Sequence, residues 1–375
     1  MTDQQSNDSA VPLLYRGQVV YIYAFDIAYD MKRQPITELL GQPIQNYAIG
    51  PNKRSPKQLF FYRPQMVNLP QEQRQINNKT VSIQRSIKIF NVGAISIQIR
   101  VPFEVQKIED LVSYHDIELS GNGLEDEMMQ LAHQAWQELS PYCLRPVSQL
   151  RQVEDYTVFC LDTLPRTDGC PTAEDWLEKN KRWVAGLLTQ EQNAENLAEQ
   201  EAVESTEQYL TYYSDDLVVV DWDAALVVGE QESLNEILHI MELANVQLVE
   251  LAAYDRILDN SLETAYRDLI QRRWVSRQLQ RSLREIRIDT ARLSDELSNI
   301  TKFFGDWYLA SIYRKISSRF HLKDWHDIIK EKLKTLADLY QLLQQDWVNF
   351  SMIVLEVTIV LLFIIDVILL LVAAN

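Results

Sequence analysis

Asp221 and Asp223 are the residues of this 375-residue chain best placed to do chemistry. They flank Trp222 in LVVVDWDAALVVG, Leu217 to Gly229, where two apolar runs meet. Carboxylates two residues apart at a strand end can share a cation, the arrangement of a metal-dependent hydrolase or phosphotransfer site. No second ligand cluster and no Gly-rich phosphate loop accompanies them, so the plainer expectation is a turn between two strands. The five histidines (His115, His133, His239, His321, His326) offer no metal-binding pair on one helix face. Cys143, Cys160 and Cys170 lack CxxC or zinc-ligand spacing and read as ordinary thiols of a reducing compartment. GxSxG, Walker and dinucleotide fingerprints are missing. The expectation is a protein that is not an enzyme and needs no cofactor or metal. Asp221 and Asp223 remain the one route back to a hydrolase.

A second group is basic. From Arg256 to Arg292 nine arginines stand against five acids, with Arg272, Arg273, Arg277, Arg281 and Arg284 gathered around Trp274. Such a stretch could bind RNA. The favoured expectation is a basic interaction face that docks on acidic protein, of its own or a neighbouring chain, or lies near lipid headgroups. The whole chain carries 36 Lys and Arg against 53 Asp and Glu, a net charge of −17. That balance argues against nucleic acid as a general partner and against broad attachment to anionic lipid.

The third group is a pair of acids inside an apolar run. Met352 to Ala374 reads MIVLEVTIVLLFIIDVILLLVAA. At about 1.5 Å per residue it spans roughly 34 Å, enough to cross a hydrocarbon core of about 30 Å. Glu356 lies one turn in and can reach the headgroups; Asp366 lies close to the middle. A carboxylate there costs at least about 2.5–3.5 kcal/mol, and the run holds no Lys, Arg or His to pair with it. Asp366 then needs a group on another helix, which makes Asp366 and Glu356 candidates for oligomerisation in the membrane.

The elements that position these groups follow from periodicity. Residues 1–10 read as a disordered tail. LLYRGQVVYIYAFDI, Leu13 to Ile27, favours a strand, and a proline-dotted passage follows. Val81, Ile83, Ile87 and Ile89, then Ile95, Ile97, Ile99 and Val101 after Asn91-Val92-Gly93, alternate with polar residues. The spacing predicts a hairpin with one buried face. Helices are expected near 106–115 and 124–139, a strand over Tyr156–Leu161, and a helix capped by Thr172 that reaches Leu188. Six glutamates from Glu191 to Glu207 read as a solvated helix or loop, and from Ser233 onward helices dominate.

Two heptad series follow. Leu283, Ile286, Thr290, Leu293, Leu297, Ile300, Phe304 and Trp307 are spaced 3-4-3-4-3-4-3, and Leu336, Tyr340, Leu343, Trp347 and Phe350 are spaced 4-3-4-3. Such seams mark coiled-coil packing. Two readings stay open, an intramolecular bundle joined at Ser317–His321 and an intermolecular coiled coil. No Gly or Pro interrupts the second helix before the apolar run, so it can continue into a bilayer.

The fold class expected is an α+β cytosolic domain, then an all-α coiled-coil-like stalk and a single C-terminal transmembrane helix. The boundaries are a tail over 1–10, a mixed domain over 11–230, a stalk over 231–349 and a span over 350–375. At LREIRIDTARLSDEL, KFFGDWYLASIYRKI, WHDIIKEKLKTLADLY and FIIDVILLL the chain resembles the YagE-type, "required for meiotic nuclear division" family, over roughly its C-terminal 160 residues. That resemblance implies a membrane-anchored homo-oligomer without known catalysis, with Asp366 where the family keeps a membrane acid. MTDQQSNDSAVP is neither a secretory signal nor a mitochondrial presequence, so a bacterial inner membrane with the N-terminal body in the cytoplasm is expected. The functional expectation is a non-enzymatic oligomeric scaffold or anchor, with itself, the bilayer and a cytosolic protein as partners. The alternative is a channel-like assembly with Asp366 as its acid ring.

Overall fold

The structure is a computed structural model that describes residues 14–47, 64–76, 79–119, 121–151, 153–165, 170–270, 284, 288 and 307–373. Leu283, Ile286, Thr290, Leu293, Leu297, Ile300 and Phe304 of the first heptad series lie outside these residues. So do Arg272, Arg273, Arg277 and Arg281 of the basic stretch, the tail over 1–10, and the side chains of Tyr340, Leu343 and Trp347. Described residues divide into two compact units: Met1–Glu250 with Leu297–Lys323, and Leu251–Glu296 with Asp324–Asn375.

The first unit is built on a ten-stranded sheet. Its strands are β1 (Tyr15–Asp26), β2 (Gln45–Asn46), β3 (Gln65–Asn68), β4 (Glu72–Ile76), β5 (Lys79–Phe90), β6 (Ala94–Val105), β7 (Val153–Leu161), β8 (Tyr209–Leu210), β9 (Leu217–Val220) and β10 (Ala224–Val228). They lie in the order β8-β9-β10-β7-β1-β6-β5-β3-β2, with β4 also on β5. Every pairing is antiparallel except β7 with β10. Hairpin β5–β6 turns at Gly93, whose φ of +92° suits glycine. Its carbonyl accepts from the backbone N–H groups of Ile27 and Ala28, and an added Cβ would meet Ala28 O at 1.9 Å.

One face of this sheet is apolar over its central strands, with a charged edge where Arg85 of β5 and Arg74 of β4 pair with Glu72 and Glu127. Tyr21, Tyr23 and Phe25 of β1 stand opposite Ile99, Ile97 and Ile95 of β6, and Ile97 stands opposite Ile87 of β5. They share a core with Met128, Ala132 and Ala135 of α1 (Leu124–Leu139) and Trp176, Leu177 and Val184 of α2 (Ala173–Leu188). Thr172 caps α2 as expected: its Oγ1 accepts from the Asp175 N–H at 3.1 Å, and Asp175 Oδ2 accepts from the Thr172 N–H at 3.2 Å. Four of the six glutamates fall in a 3-10 turn (Ala194–Asn196) and α3 (Glu199–Thr206), and Glu191 and Glu207 flank them.

The other face corrects the expectation of a half-solvated hairpin. Ser96 and Gln98 are 0% and 2% exposed, and Lys88 is 3% exposed, because α4 (Gln231–Ile270) covers them. Here the sheet is split. Val20, Val158, Ala225 and Val220, in register on β1, β7, β10 and β9, form an apolar half. Gln84, Ser86 and Lys88 of β5, opposite Arg100, Gln98 and Ser96 of β6, form a polar half. The short helix α5 (Trp307–Arg319) belongs to this unit, and its Tyr313 hydroxyl bonds Gln247 of α4 at 2.5 Å.

In the second unit the later half of α4 meets α6 (Leu322–Ala373). Lys332 Nζ lies 2.7 Å from Asp255 and 2.6 Å from Asp259, beside buried Leu258, Ile329, Leu333 and Leu336. α6 is one unbroken 52-residue helix. Trp307, placed by its spacing in the first seam, is 68% exposed.

Candidate functional site

The polar half of the sheet and the first turns of α4 build one buried seam. Asn235, His239, Glu242 and Asn245 recur at helical spacing, so one stripe of α4 faces the strands. Arg100 Nη1 donates to Asn235 Oδ1 at 3.0 Å. About two turns on, Lys88 donates to Glu242 Oε2, both side chains being almost fully buried. Asn245 Nδ2 donates to the Glu154 carbonyl at 2.9 Å. Tyr47 closes the cluster: its ring lies 4.2 Å from Lys88 Nζ and 4.9 Å from the His239 ring.

Electrostatics here are governed by burial. Burial by itself would raise the Glu242 carboxyl, but Lys88 and then His239 outweigh it and hold the group at about 2. Lys88 and Glu242 therefore form an ion pair. Burial pushes the His239 imidazole below its usual value, against the pull of Glu242 3.7 Å away, so it rests neutral. Burial also raises the Tyr47 phenol to about 12, with Glu242 adding to it. Several polar atoms of the seam meet no protein hydrogen-bond partner among the described residues: Ser96 Oγ, Gln98 Nε2, His239 Nδ1, Glu242 Oε1 and Asn245 Oδ1. Buried polar atoms are usually paired, and five unpartnered ones gather in this one layer.

Asp221 and Asp223 occupy the turn between β9 and β10. Asp221 is 3% exposed, receives the Arg319 guanidinium at the end of α5 (Nε to Oδ1 2.6 Å), and accepts from the Trp222 N–H at 2.8 Å. Its carbonyl and that of Ala224 both accept from the Tyr156 hydroxyl at 3.0 Å. Phe320 meets Trp222 edge to face and His321 lies tilted beside it, with ring centroids 6.5 and 5.6 Å away. Asp223 is exposed, and burial of its surroundings followed by Asp221 raises its carboxyl. The two carboxylates thus do different work: Asp221 ties hairpin β9–β10 to α5, and no group of three or more metal-ligating side chains gathers here among the described residues.

Glu356 and Asp366 stand on the exposed end of α6. Val348–Leu369 has a mean hydropathy of 2.9 and none of it is buried, so one helix is long and apolar enough to cross a membrane. Of the basic face, Arg284 is described and exposed.

Comparison with known proteins places the first unit. A family model described as "Uncharacterized protein MJ0711, N-terminal domain" matches residues 16–234, more than half of the chain. The chain belongs to this family. Its relative, uncharacterized protein MJ0711 of Methanocaldococcus jannaschii, is 25% identical over 249 residues, 65% of this chain and 73% of that protein. No solved structure matches. The MJ0711 match corrects the resemblance drawn from the C-terminal residues: the family is read from the N-terminal sheet domain, and no YagE-type family appears. The features behind that resemblance were heptads, aromatics and an apolar run with an acid. Any amphipathic helix that leads into an apolar one satisfies those constraints, so they do not discriminate between families.

The matched MJ0711 domain runs from the start of β1 into the first turn of α4. Tyr47, Lys88, Ser96, Gln98 and Arg100 lie within it, whereas Asn235, His239, Glu242 and Asn245 follow it. Sequence reasoning missed all of these. One signal was present: the first two polar positions of β6, Ser96 and Gln98, are small or uncharged, where a solvated strand face usually carries Lys and Glu, and charge appears only further along at Arg100 and Glu104.

Proposed function

We propose that this chain is a membrane-anchored, non-catalytic scaffold. In this reading the sheet domain is held in the cytoplasm by α6, as a single-pass anchor in a bacterial inner membrane, and binds a cytosolic protein. One observation carries the reading. The same helix that buries Leu336 and pairs Lys332 with two aspartates runs on without a break into a fully exposed apolar segment.

Energetics support insertion despite the acids. Val348–Leu369 holds sixteen Val, Leu, Ile and Phe residues. At roughly −0.3 to −0.6 kcal/mol each they favour insertion by about 5 to 10 kcal/mol. Two carboxylates at the bilayer centre would cost about 5 to 7 kcal/mol. They cannot both be there, because ten residues of helix separate them by about 15 Å. Centred near Leu361, the helix leaves each acid about 7 Å from its nearer interface, where the cost is lower. Twelve residues, about 18 Å, separate Leu336 from Val348, and this rod serves as the stalk.

The test is fractionation of full-length protein in its own membranes. It should stay in the pellet through alkaline carbonate, and protease added from the cytoplasmic side should digest the sheet domain. Release of intact protein into the carbonate supernatant sinks the anchoring reading.

A further inference from the structure

The two acids of α6 share a face, and that face is not the one the helix uses in its own chain. Met352, Glu356, Ile359, Phe363 and Asp366 are spaced 4-3-4-3, a heptad seam with a carboxyl near each end. Ile329, Lys332, Leu333 and Leu336, which pack or pair within the second unit, lie on another side. Leu336 and Phe363 are 27 residues apart, and at about 100° per residue they point in opposite directions. The surface toward α4 is therefore spoken for in the aqueous part, and the acid seam is left with no partner from its own chain among the described residues.

We propose that this seam is a docking site for a second copy of the chain, the two spans lying parallel. The inference rests on the anchoring reading and adds a partner and a face to it. Val348–Leu369 contains no cation and is the one candidate span among the described residues, so any protein group that pairs with these carboxyls inside the apolar run comes from another chain. A parallel copy brings Glu356 to Glu356 and Asp366 to Asp366 at the same depth. A neutral carboxyl is both donor and acceptor, so each like pair is self-complementary once it carries its protons. The apolar residues between, Ile359 and Phe363, pack as the remaining knobs of the seam. A partner carrying Lys or Arg in its span is the competing occupant. It would require charged acids rather than neutral ones.

The experiment uses full-length protein with Cys170→Ser, in membranes and in mild detergent. Oxidation should link Phe363→Cys into a dimer far more than Leu361→Cys, which lies about 160° around the helix. Glu356→Leu with Asp366→Leu should raise the dimer dissociation constant about tenfold or more, while Asp366→Asn, whose amide also donates and accepts, should leave it within about threefold. Equal cross-linking at both cysteines, or unchanged assembly of the double leucine variant, overturns the proposal. Loss of assembly in Asp366→Asn as complete as in the leucine variant also overturns it, since it points to a cationic partner protein. Alkaline carbonate is applied to every sample: variants that stay in the pellet while dissociating leave the anchor intact, whereas release of the parent protein fails the anchoring reading instead.

Discussion

The two faces of the central sheet are made from the same strands and stabilised by different physics. On the α1–α2 side, Ile95, Ile97 and Ile99 lock into an apolar core. On the α4 side their immediate neighbours Ser96 and Gln98 are just as deeply buried, in a layer held by the Lys88–Glu242 ion pair and a few amides. Apolar burial is non-directional and tolerates small shifts. A buried ion pair is worth little in net stability, yet losing either partner is severe, so it fixes how α4 lies against the strands more than how tightly. The comparison teaches that alternation along a strand reports two environments, not a dry side and a wet one.

The largest expected effect breaks the ion pair. Glu242→Ala leaves the Lys88 ammonium buried without its carboxylate and should cost about 3–5 kcal/mol in urea unfolding of the intact protein. Replacing both partners, Lys88→Met with Glu242→Leu, should recover most of that loss. A cost below about 1 kcal/mol for Glu242→Ala would show that water reaches the seam and that the two faces differ less than their burial implies. The matching test on the apolar face is Ile97→Ala. It should cost about 2–4 kcal/mol through lost burial and an unfilled cavity, and no second substitution across the sheet should restore it.

A smaller effect separates the faces by pH. Neutral His239 belongs to the folded state, because its folded value lies below the ordinary 6.5. As pH falls through 6.5 the unfolded chain takes a proton that the folded chain refuses, so stability declines by up to about 1.4 kcal/mol per pH unit. Glu242 works in the same direction lower down: its contribution is complete above 4.5 and fades as pH falls toward about 2. Glu154 runs oppositely, since burial and then Asp155 raise its carboxyl to about 7, and it withdraws stability as pH climbs from 4.5 through 7. The contribution of the imidazole is therefore read as the difference between the parent protein and His239→Gln between pH 7 and 5. The parent should lose stability faster with acid, and parallel curves would remove the imidazole from the seam.

Much of the fold could be read from the residues. The strand over Tyr15–Asp26, the β5–β6 hairpin with its turn at Gly93, the capped helix from Ala173 and the turn at Asp221–Asp223 follow from local pattern and chemistry. The seam was not legible, because it is made by tertiary contact: Lys88 and Glu242 are 154 residues apart and neither belongs to a motif. The same holds for Asp221: the turn it sits in was legible, but its ion-pair partner Arg319 comes from α5, 98 residues away. Family membership was misread for a related reason. Heptads constrain only the period of a helix, whereas the sheet domain, with its fixed registers, carries the information that distinguishes one family from another.

Smallest in magnitude, and most direct as a comparison, is a substitution one residue away from Ile97. Ser96 is wholly buried and its hydroxyl meets no protein partner among the described residues. Burying a hydroxyl without a hydrogen bond costs about 1–3 kcal/mol, so removing it should relieve that cost and offset the small void left by one oxygen. Ser96→Ala should therefore change stability by less than about 0.5 kcal/mol or raise it, while its neighbour Ile97→Ala loses several times more. Both changes truncate a fully buried side chain of one strand, on opposite faces. A loss of about 1 kcal/mol or more for Ser96→Ala in urea unfolding would mean the hydroxyl is bonded to ordered water, which would make the seam a hydrated layer rather than a dry one.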